Sequence, residues 1–531
     1  MPKVGAQARH PGARATPVLA FGAIGAAVVA RVVAEGWVSD DAMITFRYAR
    51  NLVDGYGPVF NVGERVQGYT HPLWLLVLSL ASLIYDDAVY LSVVLGAGFT
   101  LATFAVLAHA LTRLAGDWRA GLLLTALLGG LFASSEAWVS FQTSGLENSL
   151  SHLLLALLVA MVASGRRPAL PPLAALCSLL VLTRPDFALL VAPLALAAAW
   201  ERRRDPRELA LSVAACAPLF AWLAFAWAYY GAPYPNTASA KLGIYPDLGS
   251  AIDQGLRYLA DWARYEPAPV MAAAFLGVVG AALARGSYPR LLALGAALYV
   301  AYVVLIGGDF MRGRFLLPSF VVAALLGAFA LAPRLRRWPL LSRPLGLGVA
   351  IFGIAIACGA WQALAPAQDR DVGANGIVNE RLFYDGFDIW DYRRTGRLTL
   401  AEIDVTAIAA TLKGFAAQCG PFAIHWGTPG TLGYLTGPEV SLIDTIGLTD
   451  EYISRLSRSA LVISPPRPGH PYRYIPVSYL ASRGDIALVP GWWERAEAGD
   501  CSLLSEPAKL AGSRKVFDVF SDLILDPPPG R

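Results

Sequence analysis

Eleven apolar runs of roughly 15–25 residues occupy most of the first 365 positions of this chain. A helix of that length crosses a hydrocarbon core about 30 Å thick at 1.5 Å per residue. In lipid such a run must satisfy its own backbone hydrogen bonds, and the helix does so within one segment. The runs are 17–37, 88–112, 119–134, 147–164, 169–184, 186–200, 209–230, 267–284, 290–307, 314–332 and 344–365. The whole chain agrees with them: of 531 residues, 56% are hydrophobic and 15% charged, and the mean hydropathy is +0.49. That leaves too little polar surface for a soluble globule. The first run follows Lys3, Arg9 and Arg14 and lacks a clear small-residue cleavage site, so it reads as a retained span. A further run at 73–85 has only 13 residues and reads as a helix lying along the membrane.

Arginine placement orients the spans, because cytoplasmic loops are enriched in Lys and Arg. With a cytoplasmic N-terminus, Arg166, Arg167, Arg202, Arg203, Arg204, Arg334, Arg336 and Arg337 all fall inside. Letting 73–85 cross would move most of these to the other side. An odd count of eleven then places residues 366–531 outside. The expected fold is a polytopic α-helical membrane protein with a membrane module at 1–365 and a soluble C-terminal domain at 366–531. The latter carries short β-type runs at 422–426, 441–444 and 460–464, alternating with helical stretches at 400–417 and 450–457, which reads as a small α/β domain. Of five cysteines, only Cys419 and Cys501 fall there; they pair if this side is oxidising, or stay as two free thiols. The net charge of +4 comes with no dense basic tract, which argues against a nucleic-acid partner.

The most informative segment is 38–74, VSDDAMITFRYARNLVDGYGPVFNVGERVQGYTHPLW. Ser39 reads as an N-cap, and Asp40 and Asp41 occupy the first turn, where the helix dipole favours carboxylates. The helix is expected to end near Val53, before Asp54-Gly55. Asp40, Ile44 and Arg47 share one face. Two readings stand side by side. The acids cap an interfacial helix, or one of them is a general base that activates a hydroxyl to attack an activated sugar. His71 either hydrogen-bonds substrate or one of these acids, or is structural.

The wording of this block is specific. Together with TSGLENSL (143–150), TRPDF (183–187), PYPNTASAK (233–241) and IDTIGLTD (443–450), it resembles the mycobacterial terminal arabinofuranosyltransferase (AftB-like) branch of the GT-C superfamily. The resemblance covers essentially the whole chain. It implies eleven spans, a periplasmic cap domain and a polyprenyl-phosphate-linked sugar donor, most simply decaprenyl-phosphate D-arabinofuranose. The implied acceptor is a cell-envelope glycan such as arabinogalactan or lipoarabinomannan, and the implied reaction inverts the anomeric centre. Related donors such as a mannose lipid are the nearest alternative.

Each motif then receives an expected role beside its plain structural one. Asp40 is the preferred base, with Asp41 orienting helix and acceptor. Lys241, Arg312, Arg314 and Arg184 suit the donor phosphate, since arginine binds phosphate in bidentate fashion. The plain alternatives are an Arg184–Asp186 pair, an Asp309–arginine pair in the segment 307–314, and a snorkelling Lys241. Arg47, Tyr69, His71, Glu147, Tyr234 and Asn236 suit sugar or acceptor hydroxyls. Asp444, Asp450 and His470 either line an acceptor groove or cap turns. No cluster has zinc-ligand spacing. A divalent cation is compatible with the acids, but no motif requires one. Walker A and G-x-G-x-x-G signatures are missing, so a nucleotide donor is unsupported. A lipid-linked-sugar transporter, the rival class, is expected to show repeats and broken helices at the bilayer midplane; the sequence has no repeat, and its polar motifs gather on one side.

Overall fold

The computed structural model describes residues 12–163, 167–335, 344–384, 386–400, 403–461, 468–469 and 471–505. Among them, five helices are long and apolar enough to cross a membrane: Thr16–Ala34, Ala88–Ala115, Tyr288–Leu305, Arg314–Leu335 and Leu345–Leu364. Three bent pairs raise this to as many as eight. The chain is a polytopic helical membrane protein. Every expected span meets an apolar helix, but those at 147–164, 169–184 and 186–200 fall on helices of 16, 14 and 15 residues. Length and composition alone therefore carry up to eight crossings. The run at 73–85 forms the 11-residue helix Pro72–Ser82.

The bends have local causes. The run read as one span at 209–230 breaks at Cys216 into Pro206–Ala215 and Ala217–Tyr230, bent by 51°. Pro218 has no N–H for the preceding turn, and its ring opposes a continuous helix. A helix absent from the sequence expectation, Leu248–Tyr265, meets Pro267–Leu283 at 109°. It buries Ala251, Gly255, Tyr258 and Trp262 at helical spacing while its other face is polar. Two small residues let Pro267–Leu283 pack closely on Leu317–Leu335. A Cβ on Gly280 would lie 2.7 Å from Leu326, and one on Gly327 would lie 2.5 Å from the Leu276 carbonyl.

The C-terminal region contains one β-α-β unit. Phe422–Trp426 and Val440–Asp444 pair in parallel, Phe422 opposite Val440 and Trp426 opposite Asp444, and Pro429–Thr436 crosses between them. Of the expected strand at 460–464, Ala460 ends a short 3-10 turn, Leu461 forms an isolated antiparallel bridge with Arg473, and 462–464 lie outside the described residues. Cys419 and Cys501 form a disulfide. The region does not hang free of the first loop. Asn61 exchanges two hydrogen bonds with the backbone of Leu442, donating at 2.9 Å and accepting at 3.0 Å. One buried apolar cluster runs from the membrane helices through the first loop into this unit.

Candidate active site

The first-loop helix is Asp40–Val53, and the Ser39 side chain accepts from the Ala42 amide at its start. Successive residues on a helix point about 100° apart, so the two aspartates face different surroundings. Asp40 turns toward Pro429–Thr436. Its carboxylate accepts from the Gly430 amide at 3.1 Å, the Thr431 amide at 2.7 Å and the Thr431 hydroxyl at 2.6 Å. It thus occupies the start of that helix, a site for an anion. Burial pushes the Asp40 carboxyl up to about 6, against the pull of these donors. Asp41 instead lines a cavity of about 240 Å³, and among the described residues no protein group donates to its carboxylate. Of the two aspartates it is Asp41, rather than the preferred Asp40, that faces the cavity, while Asp40 clasps the C-terminal region.

The same cavity gathers Tyr69, His71, Arg184, Tyr234, Lys241 and Arg314 from four separate motifs. Beneath it lies Glu147, completely buried. Glu147 accepts from Arg314 Nη2 at 3.3 Å and Arg184 Nη1 at 3.3 Å, and its Oε2 lies 3.1 Å from His71 Nδ1. His71 Nε2 in turn lies 2.7 Å from the Thr45 hydroxyl. Arg184 grips Asp186 with two bonds, Nε at 3.0 Å and Nη2 at 2.7 Å, and Tyr299 donates to the same carboxylate. A charged network of this kind holds both guanidinium groups in fixed directions. Glu147 is not among the groups that face the cavity, which corrects its assignment to a sugar hydroxyl; it positions the arginines.

Three other expectations are corrected by where the side chains go. Arg312 turns away from the cavity, donating to Asp261 at 2.6 Å and Gln368 at 2.7 Å above the Tyr265 ring. Arg47 is buried and donates to the carbonyls of Phe60, Gly433 and Val440 and to Asn61 Oδ1, tying the first loop to the C-terminal unit. Asn236 donates to the carbonyls of Gly447, Leu448 and Asp450 and accepts from Ser454. Asp444 and Asp450 are turn and cap residues: Asp444 accepts from Ile446 and Thr449, and Asp450 from Ile453. His470 lies outside the described residues.

The segment Gly307-Gly308-Asp309 shapes one wall. Both glycines have positive φ, 88° and 70°, and the rings of Tyr245 and Tyr258 press against them where a Cβ would sit. The turn delivers Asp309 to the cavity; no carboxylate–arginine pair forms within the segment. Asp309, Thr237 and Tyr245 are cavity residues the sequence did not single out as ligands. Asp309 carried a signal in its flanking glycines, and Thr237 lay inside a named motif; Tyr245 carried none. Among the described residues no group of three or more His, Cys, Asp or Glu side chains is placed to hold a metal ion.

No protein family profile matches the chain. It is 27% identical over 557 residues to the terminal β-(1→2)-arabinofuranosyltransferase of Mycobacterium tuberculosis, covering 87% of this chain and 86% of that protein. The protein of the same name from Corynebacterium glutamicum is 30% identical over 331 residues, covering 54% of this chain and 47% of the relative. Among solved structures, ArnT from Cupriavidus metallidurans bound to undecaprenyl phosphate aligns over 82% of this chain with a TM-score of 0.41 and 15% identity, too low to carry an argument. The two sequence relatives bear out the resemblance drawn from the motifs.

Proposed function

We propose that this glycosyltransferase, similar along most of its length to terminal arabinofuranosyltransferases, moves D-arabinofuranose from decaprenyl phosphate to a cell-envelope glycan, arabinogalactan or lipoarabinomannan. The observation that carries the proposal is the sharing of one cavity by Asp41, a carboxylate that accepts no protein hydrogen bond among the described residues, and three cations, Arg184, Arg314 and Lys241. The acceptor hydroxyl gives its proton to Asp41. Its oxygen attacks the anomeric carbon, and the bond from that carbon to the phosphate oxygen breaks. The electron pair leaves with decaprenyl phosphate, whose charge is met by the three cations. One carboxylate suffices for such a displacement, which inverts the anomeric centre; the chain's own residues carry every step.

In this reading the spans number eleven, the protein sits in the plasma membrane, and residues 366–531 cap the site on the outer face. The Cys419–Cys501 disulfide supports that side, because disulfides persist in oxidising compartments. The clasps through Asp40, Arg47 and Asn61 support the role of a cap, since they seat the C-terminal unit on the loop that carries Asp41. The test is turnover of a panel of synthetic decaprenyl-phosphate sugars by the full chain in nanodiscs, with NMR of the product. Arabinofuranose is expected to be the preferred sugar, in inverted configuration. Preference for a hexose overturns the donor, and retained configuration overturns the single displacement.

A further inference from the structure

Several buried polar atoms on the cavity wall have no hydrogen-bond partner. Among the described residues they are Asp309 Oδ2, Thr237 Oγ1, the Tyr245 hydroxyl and Arg314 Nε. Asp309 is 2% exposed and Thr237 8%. Buried polar groups are almost always paired, because an orphan has given up its bonds to water without replacement. The three unpartnered oxygens, on Asp309, Thr237 and Tyr245, therefore mark a polar ligand's place.

The three groups are neighbours. Thr237 and Lys241 stand four residues apart on Asn236–Lys241, hence on one face. Lys241 and Tyr245 both lie close enough to Asp309 to interact with it electrostatically. Asp309 is also held in place. The Gly307-Gly308 turn sets its backbone, and Gly469 closes over it so tightly that a Cβ there would lie 3.0 Å from Oδ1. The set is a carboxyl group whose oxygens accept, beside two hydroxyls that donate or accept. None of the three groups carries a positive charge to meet a phosphate, and a polyprenyl chain offers nothing to bond. A sugar hydroxyl donates one bond and accepts another, which matches the set.

Resting on the transferase reading, we infer that Asp309, Thr237 and Tyr245 form a hydroxyl-binding subsite for the donor sugar, separate from the arginines that meet its phosphate. This subsite selects the donor by its hydroxyl pattern. A site built to hydrogen-bond a hydroxyl strongly rejects the analogue that lacks it, because its own buried groups are then left unpaired.

The experiment is a set of cycles between enzyme and donor. Wild type, Asp309→Asn and Tyr245→Phe are assayed in nanodiscs with decaprenyl-phosphate arabinofuranose and its three singly deoxygenated analogues. One deoxy donor is expected to lose on the order of 10²-fold in kcat/KM with wild type and less than about 10-fold further with Asp309→Asn. Thermal stability without donor supplies the second readout. Removing an unpartnered buried atom is expected to leave the melting temperature unchanged or raised in Thr237→Val and Tyr245→Phe. Deoxy penalties of equal size in wild type and both variants overturn the subsite, as does a marked fall in melting temperature, which assigns these groups a structural task. If wild type turns over no lipid-linked sugar at all, the transferase reading fails and takes the subsite with it.

Discussion

Replacing Glu147 with Gln removes the one negative charge that holds Arg184 and Arg314 together beneath the cavity. Glu147 is fully buried, with both guanidinium groups at 3.3 Å and His71 at 3.1 Å. Each contact of this kind is worth roughly 4 kcal/mol in raw Coulomb terms at 4 Å and an effective dielectric of 20. Desolvation and the mutual repulsion of the arginines offset much of that. Breaking a buried pair by removing one partner nets about 3–5 kcal/mol. Glutamine keeps one oxygen, so the fold survives with the loss near the lower end. Arg184 retains Asp186, whereas Arg314 keeps no other carboxylate among the described residues, holding the Met311 sulfur at 3.1 Å and the Phe315 ring, so Arg314 moves more. A shift of about 1 Å in such a group lowers catalysis by up to 10²-fold. The assay is steady-state transfer with donor and acceptor varied separately, together with inhibition by the product decaprenyl phosphate. In Glu147→Gln the donor KM and the inhibition constant rise together while the acceptor KM stays put. A raised acceptor KM with normal product inhibition would refute the positioning role and return Glu147 to sugar contact.

Arg312→Ala is expected to lower thermal stability by about 1–3 kcal/mol, through the lost bonds to Asp261 and Gln368, without changing the donor KM; a weakened donor affinity at normal stability contradicts its placement. Opening the Cys419–Cys501 bridge by Cys419→Ser releases a loop of 82 residues and removes up to about 4.5 kcal/mol from the C-terminal region, read by denaturant unfolding with and without reductant. Burial raises the Asp444 carboxyl from 3.8 to about 6, so the folded state favours its neutral form. That contribution is complete below about pH 4 and is lost as pH rises through 6, about 3 kcal/mol over the whole window. Asp40 acts with the same sign in the same window. The melting temperature of Asp444→Asn should therefore vary less between pH 4.5 and 7 than that of wild type, and an equal pH response in the two proteins contradicts the assignment.

The membrane helices were legible because a long apolar run leaves the backbone one conformation in lipid. The surface helix Leu248–Tyr265 was not, because half of it is polar and it does not read as a span. The β-α-β unit was visible in the runs at 422–426 and 441–444, each bounded by turn residues. At the site, residue types were readable and their directions were not. Arg312 and Arg314 stand two positions apart, and only Asp261 and Gln368, brought up from elsewhere, decide which one leaves the cavity. Arg47 and Asn236 looked like ligand-binding groups because a buried polar side chain that staples two backbone segments has the same composition as one that binds sugar. Asp40 and Asp41 are one chemical letter repeated. What separates them is an amide pair at 430–431, some 390 residues downstream, which no local pattern announces.

The central claim is that Asp41, and not its neighbour, takes the proton. The most direct measurement is single-turnover transfer from decaprenyl-phosphate arabinofuranose with saturating donor and acceptor, run on Asp41→Asn and Asp40→Asn in nanodiscs. Loss of a general base lowers the chemical step by about 10²–10⁴-fold. Asp41→Asn should show that loss with an unchanged melting temperature, while Asp40→Asn should melt earlier and keep a chemical step within about 10-fold of wild type. The reverse pattern, with Asp41→Asn active and Asp40→Asn stable but inert, would contradict the account.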